Sequence, residues 1–172
     1  DLYLSLFIVK YLETAAIRER RVKPAETLDT LFSLKVAGNG WEYTNIHPSH
    51  IIRRLDYYRE LSSFYCSSRI NLNVTEPQVK AGLNQRFFDC PAAGGFLITN
   101  RHDEIVNLFV PGEEIVIYED IPDLLDKVRY YLAHPRKREE IAAMARRKIL
   151  AHHTMKQRME TAVAVLRAVN RI

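Results

Sequence analysis

Between Gly82 and Thr99 the sequence passes from a loop glycine through a short amphipathic helix to a glycine pair, and then directly into an apolar strand. A loop that ends at a helix N-terminus presents backbone N–H groups without partners, and Arg86 adds a permanent positive charge beside them. Such an arrangement suits a phosphate group. Asp89, one helical turn further on, is placed to accept hydrogen bonds from hydroxyl groups. Together these residues predict a site for a nucleotide or a nucleotide-sugar.

The same stretch has a second interpretation that involves no ligand. Arg86 and Asp89 are three residues apart, which is the spacing of a surface ion pair on a helix. The glycines at 94 and 95 would then only end that helix. Short motifs of this kind also match by chance, so the stretch by itself leaves both interpretations open.

Strands and helices alternate through most of the chain. Apolar runs and alternating apolar residues predict strands at residues 32–37, 51–55, 69–74, 96–99 and 114–118. Apolar residues at three- to four-residue spacing predict helices at 4–21, 24–32, 58–67, 104–109, 122–133, 135–151 and 154–169, besides the helix before the glycine pair. This alternation predicts an α/β fold with a Rossmann-like parallel sheet covered by helices on both faces.

In a parallel sheet of this class, ligands bind beyond the carboxyl ends of the strands. The loops that follow Ala37, Val74 and Thr99 are therefore predicted to share one rim. The helix start at residues 84–86 belongs to the same rim. The loop after Ala37 is a Gly-Asn-Gly turn, typical of the first half of a mononucleotide-binding unit, although hairpins use the same residues. This convergence favours the nucleotide interpretation.

Length and charge narrow the class of protein. With 172 residues the chain fits one domain and can bury a sizeable core. Its formal charge of +4 is small, and acidic residues lie close to most of its basic groups. Nucleic-acid-binding surfaces concentrate positive charge in a stripe. We therefore expect no nucleic-acid partner; steeply salt-dependent binding to DNA or RNA would contradict this.

Neither the cysteines nor the histidines have the spacing of metal ligands. Cys66 and Cys90 form no CxxC motif and have no histidine at ligand spacing. This pattern favours reduced thiols in a cytosolic protein over a disulfide or a zinc site. His47 and His50 lie in a loop whose only acid nearby in sequence is Asp56. We expect no metal ion and a cytoplasmic location.

The N-terminal residues indicate a fragment of a longer protein. The chain begins at Asp1 without an initiator methionine and enters an apolar run at residues 2–9. That run is too short to span a bilayer, is followed by Lys10 and lacks the positively charged front of a signal peptide. A buried helix or strand that packs on a missing part explains the run better.

Several separate blocks of the sequence are similar to one known family. These blocks are INLNVT at residues 70–75, NQRFFDCPAAGGFLITN at 84–100, VPGEEIVIYED at 110–120, and YYLAHPRKREEI and HHT at 130–141 and 152–154. In this order, across residues 34–168, they resemble the nucleotide-sugar-binding domain of GT-B glycosyltransferases. The CgeB-like group, often named after a spore maturation protein, is the most similar.

The resemblance implies the C-terminal half of a two-domain, hexosyltransferase-like enzyme. The donor diphosphate lies against this half in the family, whereas the acceptor and much of the catalytic apparatus come from an N-terminal domain. GT-B enzymes generally need no metal ion or other cofactor. The donor-binding domain would comprise a helical lead-in at about residues 1–32, an α/β core at about 33–120 and C-terminal helices at about 121–172. The isolated chain is expected to be inactive.

The resemblance also implies roles for particular residues. Asp89 matches the second glutamate of a two-glutamate signature, the one that holds the donor ribose in many retaining members. Asn84, Gln85 and Arg86 match the loop and helix start that face the donor phosphates. Gly38 and Gly40 match a glycine turn that lies near the donor in the family. Thr75 and Glu76 match a loop that lines the cleft.

Two departures from the family pattern bear on catalysis. Ala81 stands where the first glutamate of the signature would fall, so Glu76 is the nearest candidate for that contact and for a catalytic role. The arginine and lysine that clamp the diphosphate in many members have no counterpart early in this chain, which leaves Arg86 and Lys80. A non-catalytic interaction or regulatory module on the same fold is therefore the alternative to an enzyme domain.

Other side chains have both a functional and a structural interpretation. The aromatic residues could stack on a base or pack in the protein. The histidine could act in acid–base chemistry or form hydrogen bonds within its loop. The glutamate pair could bind ribose or lie in a solvated turn. Packing, loop hydrogen bonding and a solvated turn are the commoner roles. The side chains are Trp41, Tyr57, Tyr58, Tyr130, Tyr131, His47, Glu113 and Glu114.

Overall fold

Short parallel strands alternate with α-helices in the computed structural model, which describes residues 15–75 and 82–170. The strands are β1 (Val36–Ala37), β2 (Ile51–Ile52), β3 (Asn71–Asn73), β4 (Leu97–Asn100) and β5 (Val116–Tyr118). The α-helices are α1 (Lys23–Asp29), α2 (Leu61–Ser67), α3 (Gln85–Ala93), α4 (Asp103–Leu108), α5 (Ile121–Ala133), α6 (Pro135–His152) and α7 (Met155–Asn170). The predicted alternation is thus confirmed, with strands mostly shorter than predicted.

The first described segment corrects one predicted boundary. Sequence reasoning ended a helix at the basic cluster of residues 18–23 and started another at Pro24. In the structure a π-helical segment, Arg18–Val22, runs directly into α1, and the N–H of Lys23 donates to the carbonyl of Arg18. Pro24 is the second residue of α1, so the change from π-helix to α-helix falls one residue before it. The earlier part of the predicted helix, residues 4–14, lies outside the described residues.

All the described strand pairs are parallel, but they form two sheets. β3, β4 and β5 pair in that order, with Leu72 opposite Ile98. β1 pairs only with β2. Each of these two strands has two residues. Gly38, with φ 110°, follows β1 directly, and a 3₁₀ turn at Pro48–His50 directly precedes β2. The sequence pattern predicts one sheet. The parallel strands are confirmed, but the described strands form two separate sheets and not one.

The three-stranded sheet is covered on both faces, as predicted. Ile98 packs on one face with Leu124 and Val128 of α5, and neighbouring Leu97 packs on the other face with Phe87 of α3. Successive side chains of a strand point to opposite faces, so β4 separates two apolar clusters. A third cluster holds β1 and β2 against α1, through Ala25.

The C-terminal helices follow the predicted pattern closely. Asp120 caps α5 by accepting a hydrogen bond from the N–H of Asp123 at 2.8 Å, and His134 separates α5 from α6. The guanidinium of Arg138 donates to the carbonyl of Tyr131, near the end of α5. In the described part of the chain, no helix combines the length and apolarity that crossing a membrane requires.

Candidate functional site

Asn84 fixes the start of α3 at the carboxyl end of β3. Its side-chain oxygen accepts from the N–H of Phe87 at 3.1 Å, which is the hydrogen bond of an N-cap residue. Its Nδ2 donates to the carbonyl of Val74 at 3.0 Å. One amide side chain therefore attaches the helix to the strand end, and the N–H groups of the first turn lie at the predicted ligand rim.

Arg86 lies in the first turn of α3 and is exposed. It forms no hydrogen bond or ion pair with any residue in the described ranges, and in particular none with Asp89. The surface-pair interpretation of these two residues is therefore wrong for this structure. A guanidinium beside a helix N-terminus has five N–H donors, which suits two-point binding of a phosphate.

Asp89 belongs to a chain of hydrogen bonds with Tyr57 and Gln85. The Tyr57 hydroxyl donates to Oδ2 of Asp89 at 2.7 Å and accepts from Nε2 of Gln85 at 2.6 Å. The hydrogen bond to Asp89, with burial and the negative charge adding to it, raises the pKa of Tyr57. The carboxylate therefore already binds one hydroxyl, and this hydroxyl comes from the protein itself.

Thr75 follows β3 and is buried rather than open to the cleft. Its N–H donates to Oδ1 of Asn100, the last residue of β4, at 2.7 Å. Thr75 is 1% exposed, and its hydroxyl has no hydrogen-bond partner among the described residues. Asn73 donates to the hydroxyl of Thr99 at 3.2 Å, while its own side-chain oxygen likewise lacks a described partner. The carboxyl ends of β3 and β4 thus form a polar, largely buried edge.

The turn after β1 shares no hydrogen bond with α3 among the described residues. Gly38 and Gly40 have φ values of 110° and 91°, and a Cβ at either position would meet no atom within 4 Å. Their backbone conformation, not close packing, requires glycine. The N–H of Gly38 donates to the carbonyl of Ile52 at 3.2 Å, which keeps this turn with β2. The loop that does reach α3 is the one after β2, through Tyr57.

A second cation on the rim is already paired. Arg101 follows β4 and donates to Glu119 at 2.8 Å. With His102, Asp103 and Glu104, it lines an open hollow beyond the strand. Arg101 is paired, whereas Arg86 has no partner in residues 15–75 and 82–170, so the guanidinium of Arg86 is the more available one for an anionic ligand. Glu76, Lys80 and Ala81 lie outside the described residues.

Gly95 lets α3 and β4 pack closely behind this rim. A Cβ at Gly95 would lie 2.8 Å from Sγ of Cys90, 3.0 Å from Nδ2 of Asn71 and 3.1 Å from the carbonyl of Tyr65. Gly94 ends α3 in the left-handed conformation, with φ 99°. The glycine pair therefore has two separate structural functions, a helix stop and a close contact.

The two cysteines are free thiols in the structure, as predicted. Cys90 is completely buried, and burial raises the pKa of its thiol. The exposed Cys66 donates to the carbonyl of Ala93 at 3.0 Å. In residues 15–75 and 82–170, His, Cys, Asp and Glu side chains form no group of three that could hold a metal ion.

Three aromatic side chains away from this rim have contacts within the domain. Trp41 packs on the β1–β2 cluster, with the guanidinium carbon of Arg21 5.2 Å from its ring centre. Tyr131 belongs to the core, and Tyr130 stacks on His134 with ring centres 4.1 Å apart. The packing interpretation is confirmed for Trp41 and Tyr131, whereas Tyr130 is 49% exposed and belongs to no apolar cluster of the described residues.

Two further interpretations concern a histidine and a glutamate. Nδ1 of His47 lies 2.8 Å from the hydroxyl of Ser49, so the loop hydrogen-bonding interpretation is confirmed. Glu114 accepts from Nζ of Lys148 in α6 at 2.6 Å, and its side chain is largely buried. The prediction of a solvated turn was wrong for Glu114, because this long-range ion pair is not visible in a local pattern.

Sequence reasoning missed the partners that this rim uses. The sequence pattern indicates only stacking or packing for Tyr57 and predicts no role for Asn100. The hydrogen bond from Tyr57 spans 32 residues, and that between Thr75 and Asn100 spans 25. The position of Tyr57 in the sequence was a signal for its place at the rim. Tyr57 lies in the loop after β2, and loops that follow parallel strands reach the ligand rim.

The described residues form a Rossmann-like parallel α/β fold, with polar groups and a capped helix start at the carboxyl ends of β3 and β4. Comparison with protein families is more specific. A family model described as glycosyl transferase-like matches residues 18–164, and the chain therefore belongs to that family. A search of curated proteins gave no match.

Solved structures match the fold at low sequence identity. Sucrose-phosphate synthase from Thermosynechococcus elongatus superposes with a TM-score of 0.67 and 13% identity, over 88% of this chain and 43% of that one. The architecture of parallel sheets flanked by helices matches the GT-B glycosyltransferase fold. This chain spans less than half the length of that synthase chain.

Proposed function

We propose that the chain is the donor-binding half of a glycosyltransferase, which transfers a sugar from a nucleotide-sugar to an acceptor bound by another domain. The observation that carries the proposal is the start of α3. There Asn84 attaches a helix N-terminus to the ligand rim, and Arg86 lies beside it without a described partner. Membership of the glycosyl transferase-like family supports glycosyl transfer as the reaction class.

Arg86 and the first turn of α3 bind the donor diphosphate in this proposal. The guanidinium and the helix N–H groups both act on negative charge, and their effects add at one end of the helix. With these groups balancing the phosphates, the domain needs no metal ion for donor binding. Addition of EDTA or Mg²⁺ should accordingly leave the nucleotide affinity unchanged.

Asp89 binds the hydroxyls of the donor ribose. The carboxylate lies one turn along α3 from Arg86 and already accepts a hydrogen bond from a hydroxyl, that of Tyr57. Gln85, at the start of the same helix, donates to that hydroxyl. Phosphate and hydroxyl groups are thus bound at successive turns of one helix. Gly38, Gly40 and Thr75 shape the rim, and Glu76 is the candidate for a sugar contact.

The experiment is a titration of the full 172-residue chain with UDP-, GDP- and ADP-glucose, followed by NMR or calorimetry. At least one should bind weakly, and Arg86→Ala should weaken that binding about tenfold, since a charge-assisted contact is lost. Arg69→Ala is the matched control. Arg69 is likewise exposed and lacks a described partner, but it precedes β3 at the opposite edge of the sheet.

Two results would contradict the proposal. One is that none of the three nucleotide-sugars binds at millimolar concentration. The other is that Arg86→Ala and Arg69→Ala have the same effect. The isolated chain should transfer no sugar in any case, because the proposal assigns the acceptor to another domain.

The rival candidate, a non-catalytic module on the same fold, is favoured by Ala81 in the sequence. It predicts a protein partner and no donor-dependent transfer by the full-length protein. An upstream Rossmann-like domain in the full-length protein supports the enzyme, whereas an unrelated neighbour supports the module. A cytoplasmic location belongs to the proposal and is supported by the free thiols of Cys66 and Cys90.

A further inference from the structure

The hydroxyl of Tyr57 lies between two polar side chains on the first turns of α3. It donates to Oδ2 of Asp89 at 2.7 Å and accepts from Nε2 of Gln85 at 2.6 Å. A carboxylate only accepts hydrogen bonds and an amide nitrogen only donates them. The Asp89 carboxylate and the Gln85 amide nitrogen together therefore suit a group that donates and accepts at once, such as a hydroxyl. The pair therefore forms a hydroxyl-binding subsite, and Tyr57 occupies it.

The turn that carries Tyr57 is held without help from its side chain. Oδ1 of Asp56 accepts from the N–H of Tyr58 at 3.0 Å and from that of Arg59 at 2.8 Å. Glu60 accepts from the N–H of Asp56 at 2.8 Å and from the guanidinium of Arg53. The hydrogen bond from Arg53 lowers the pKa of Glu60 to about 2, so this support persists over the physiological pH range.

The Tyr57 ring itself has few attachments. Tyr57 is 43% exposed and belongs to none of the apolar clusters, and its aromatic neighbour is the edge of Tyr58, with ring centres 5.0 Å apart. The two hydroxyl hydrogen bonds are therefore its main tether to α3. Rotation of the side chain would break both of these hydrogen bonds, and those that hold the turn do not depend on it.

We propose that Tyr57 is an intramolecular gate of the donor site: its hydroxyl occupies the subsite of a donor ribose hydroxyl and must leave before the donor binds fully. This inference rests on the proposed function. The exchange conserves hydrogen bonds, because the ribose hydroxyl donates to Asp89 and accepts from Gln85 in place of the phenol. The released phenol is then available to solvent or to the ligand.

A gate of this kind reduces affinity in a defined way. The apparent dissociation constant equals the intrinsic one divided by the fraction of molecules whose subsite is open. Tyr57→Phe removes both hydrogen bonds and keeps the ring, so the open fraction rises. We expect the variant to bind UDP, GDP or ADP about fivefold more tightly than the unmodified chain.

Tyr58→Phe is the matched control. Tyr58 is the next residue in the same turn, is 91% exposed, and its hydroxyl has no described partner. Its nucleotide affinity should equal that of the unmodified chain. A second readout is the NMR signal of tyrosine Cζ, assigned to Tyr57 by its loss in Tyr57→Phe. Saturating nucleotide should move this signal, because the phenol leaves Asp89 and Gln85.

The possible results separate the gate from the donor site. Tighter binding by Tyr57→Phe alone, with a moved Tyr57 signal, supports the gate. If nucleotide binds and Arg86→Ala weakens it, but Tyr57→Phe has no effect or binds more weakly, the gate is overturned and the donor site stands. If no variant binds any of the three nucleotides, the proposed function is contradicted and the gate with it.

Discussion

The side chain of Asn84 donates a hydrogen bond to the carbonyl oxygen of Val74, with Nδ2 and O 3.0 Å apart. The same side chain accepts from the N–H of Phe87 and so caps α3. The start of the helix and the end of β3 are therefore fixed relative to each other by one residue. Any ligand that binds the first turn of α3 depends on this connection.

Asn84→Ala should lower the free energy of unfolding by about 1–2 kcal/mol, because an N-cap is lost and a hydrogen bond to a strand end is unmade. Asn84→Asp is the informative control. Aspartate keeps the acceptor for Phe87 but has no donor for Val74, so it should recover part of the loss. Urea denaturation of the three proteins measures both effects. Equal stability of Asn84→Ala and the unmodified chain would contradict the assigned function of this side chain.

Gly95→Ala should destabilise the chain by about 2–3 kcal/mol. The new Cβ would meet Sγ of Cys90 at 2.8 Å and Nδ2 of Asn71 at 3.0 Å, and both atoms lie in the packed interior. Gly112→Ala is the control for backbone strain without a clash. Gly112 has φ 83°, and a Cβ added there would meet no atom within 4 Å. It should cost only about 1 kcal/mol. Thermal or urea unfolding would show whether this order holds.

A hydrogen-bonded pair of Asp29 and His50 should make stability depend on pH. Oδ1 of Asp29 lies 2.6 Å from Nδ1 of His50, and Oδ2 accepts from the N–H of His47 at 2.8 Å. Burial alone would raise the pKa of Asp29, but the hydrogen bonds from His47 and His50 outweigh it, and the pKa is lowered.

Because the pKa of Asp29 is lower in the folded than in the unfolded chain, its stabilisation is complete above the unfolded value of about 4 and is lost as the pH falls below it. Asp29→Asn should therefore be less stable than the unmodified chain by about 2 kcal/mol at pH 6. The difference should shrink as the pH falls below about 4. Urea titrations across this range test the sign, and a constant difference would contradict it.

The sequence predicted those parts of the fold that depend on local patterns. Long apolar periodicities with Pro122 and Pro135 near their starts located the C-terminal helices, and the polar loop before Gln85 located the start of α3. The π-helical segment was missed because basic clusters and Pro24 normally mark helix ends. It continues because Lys23 bonds back to Arg18, which no local preference indicates.

The parts that sequence could not predict are contacts between distant residues. The only acid near His50 in sequence is Asp56, yet its partner is Asp29, 21 residues away. In the same way Asp89 was predicted to lie at the rim, but not its partner Tyr57. Pairs of side chains that are distant in sequence depend on how helices, strands and loops pack together. The spacing of apolar residues, every 2 residues in a strand or 3.6 in a helix, does not indicate which elements pack together.

The assignment of Asp89 to ribose makes a prediction that the diphosphate assignment of Arg86 does not. A ribonucleoside diphosphate should bind the chain severalfold more tightly than its 2′,3′-dideoxy analogue, because only the ribose hydroxyls can bind the carboxylate, whereas with the analogue Asp89 keeps the hydroxyl of Tyr57. Asp89→Ala should remove this preference, whereas Arg86→Ala should weaken both ligands equally. Glu139→Ala, at an exposed acid on α6, is the control and should preserve the preference. Calorimetric titration of each variant with both ligands measures the ratio, and an unchanged ratio in Asp89→Ala would assign the ribose to other residues.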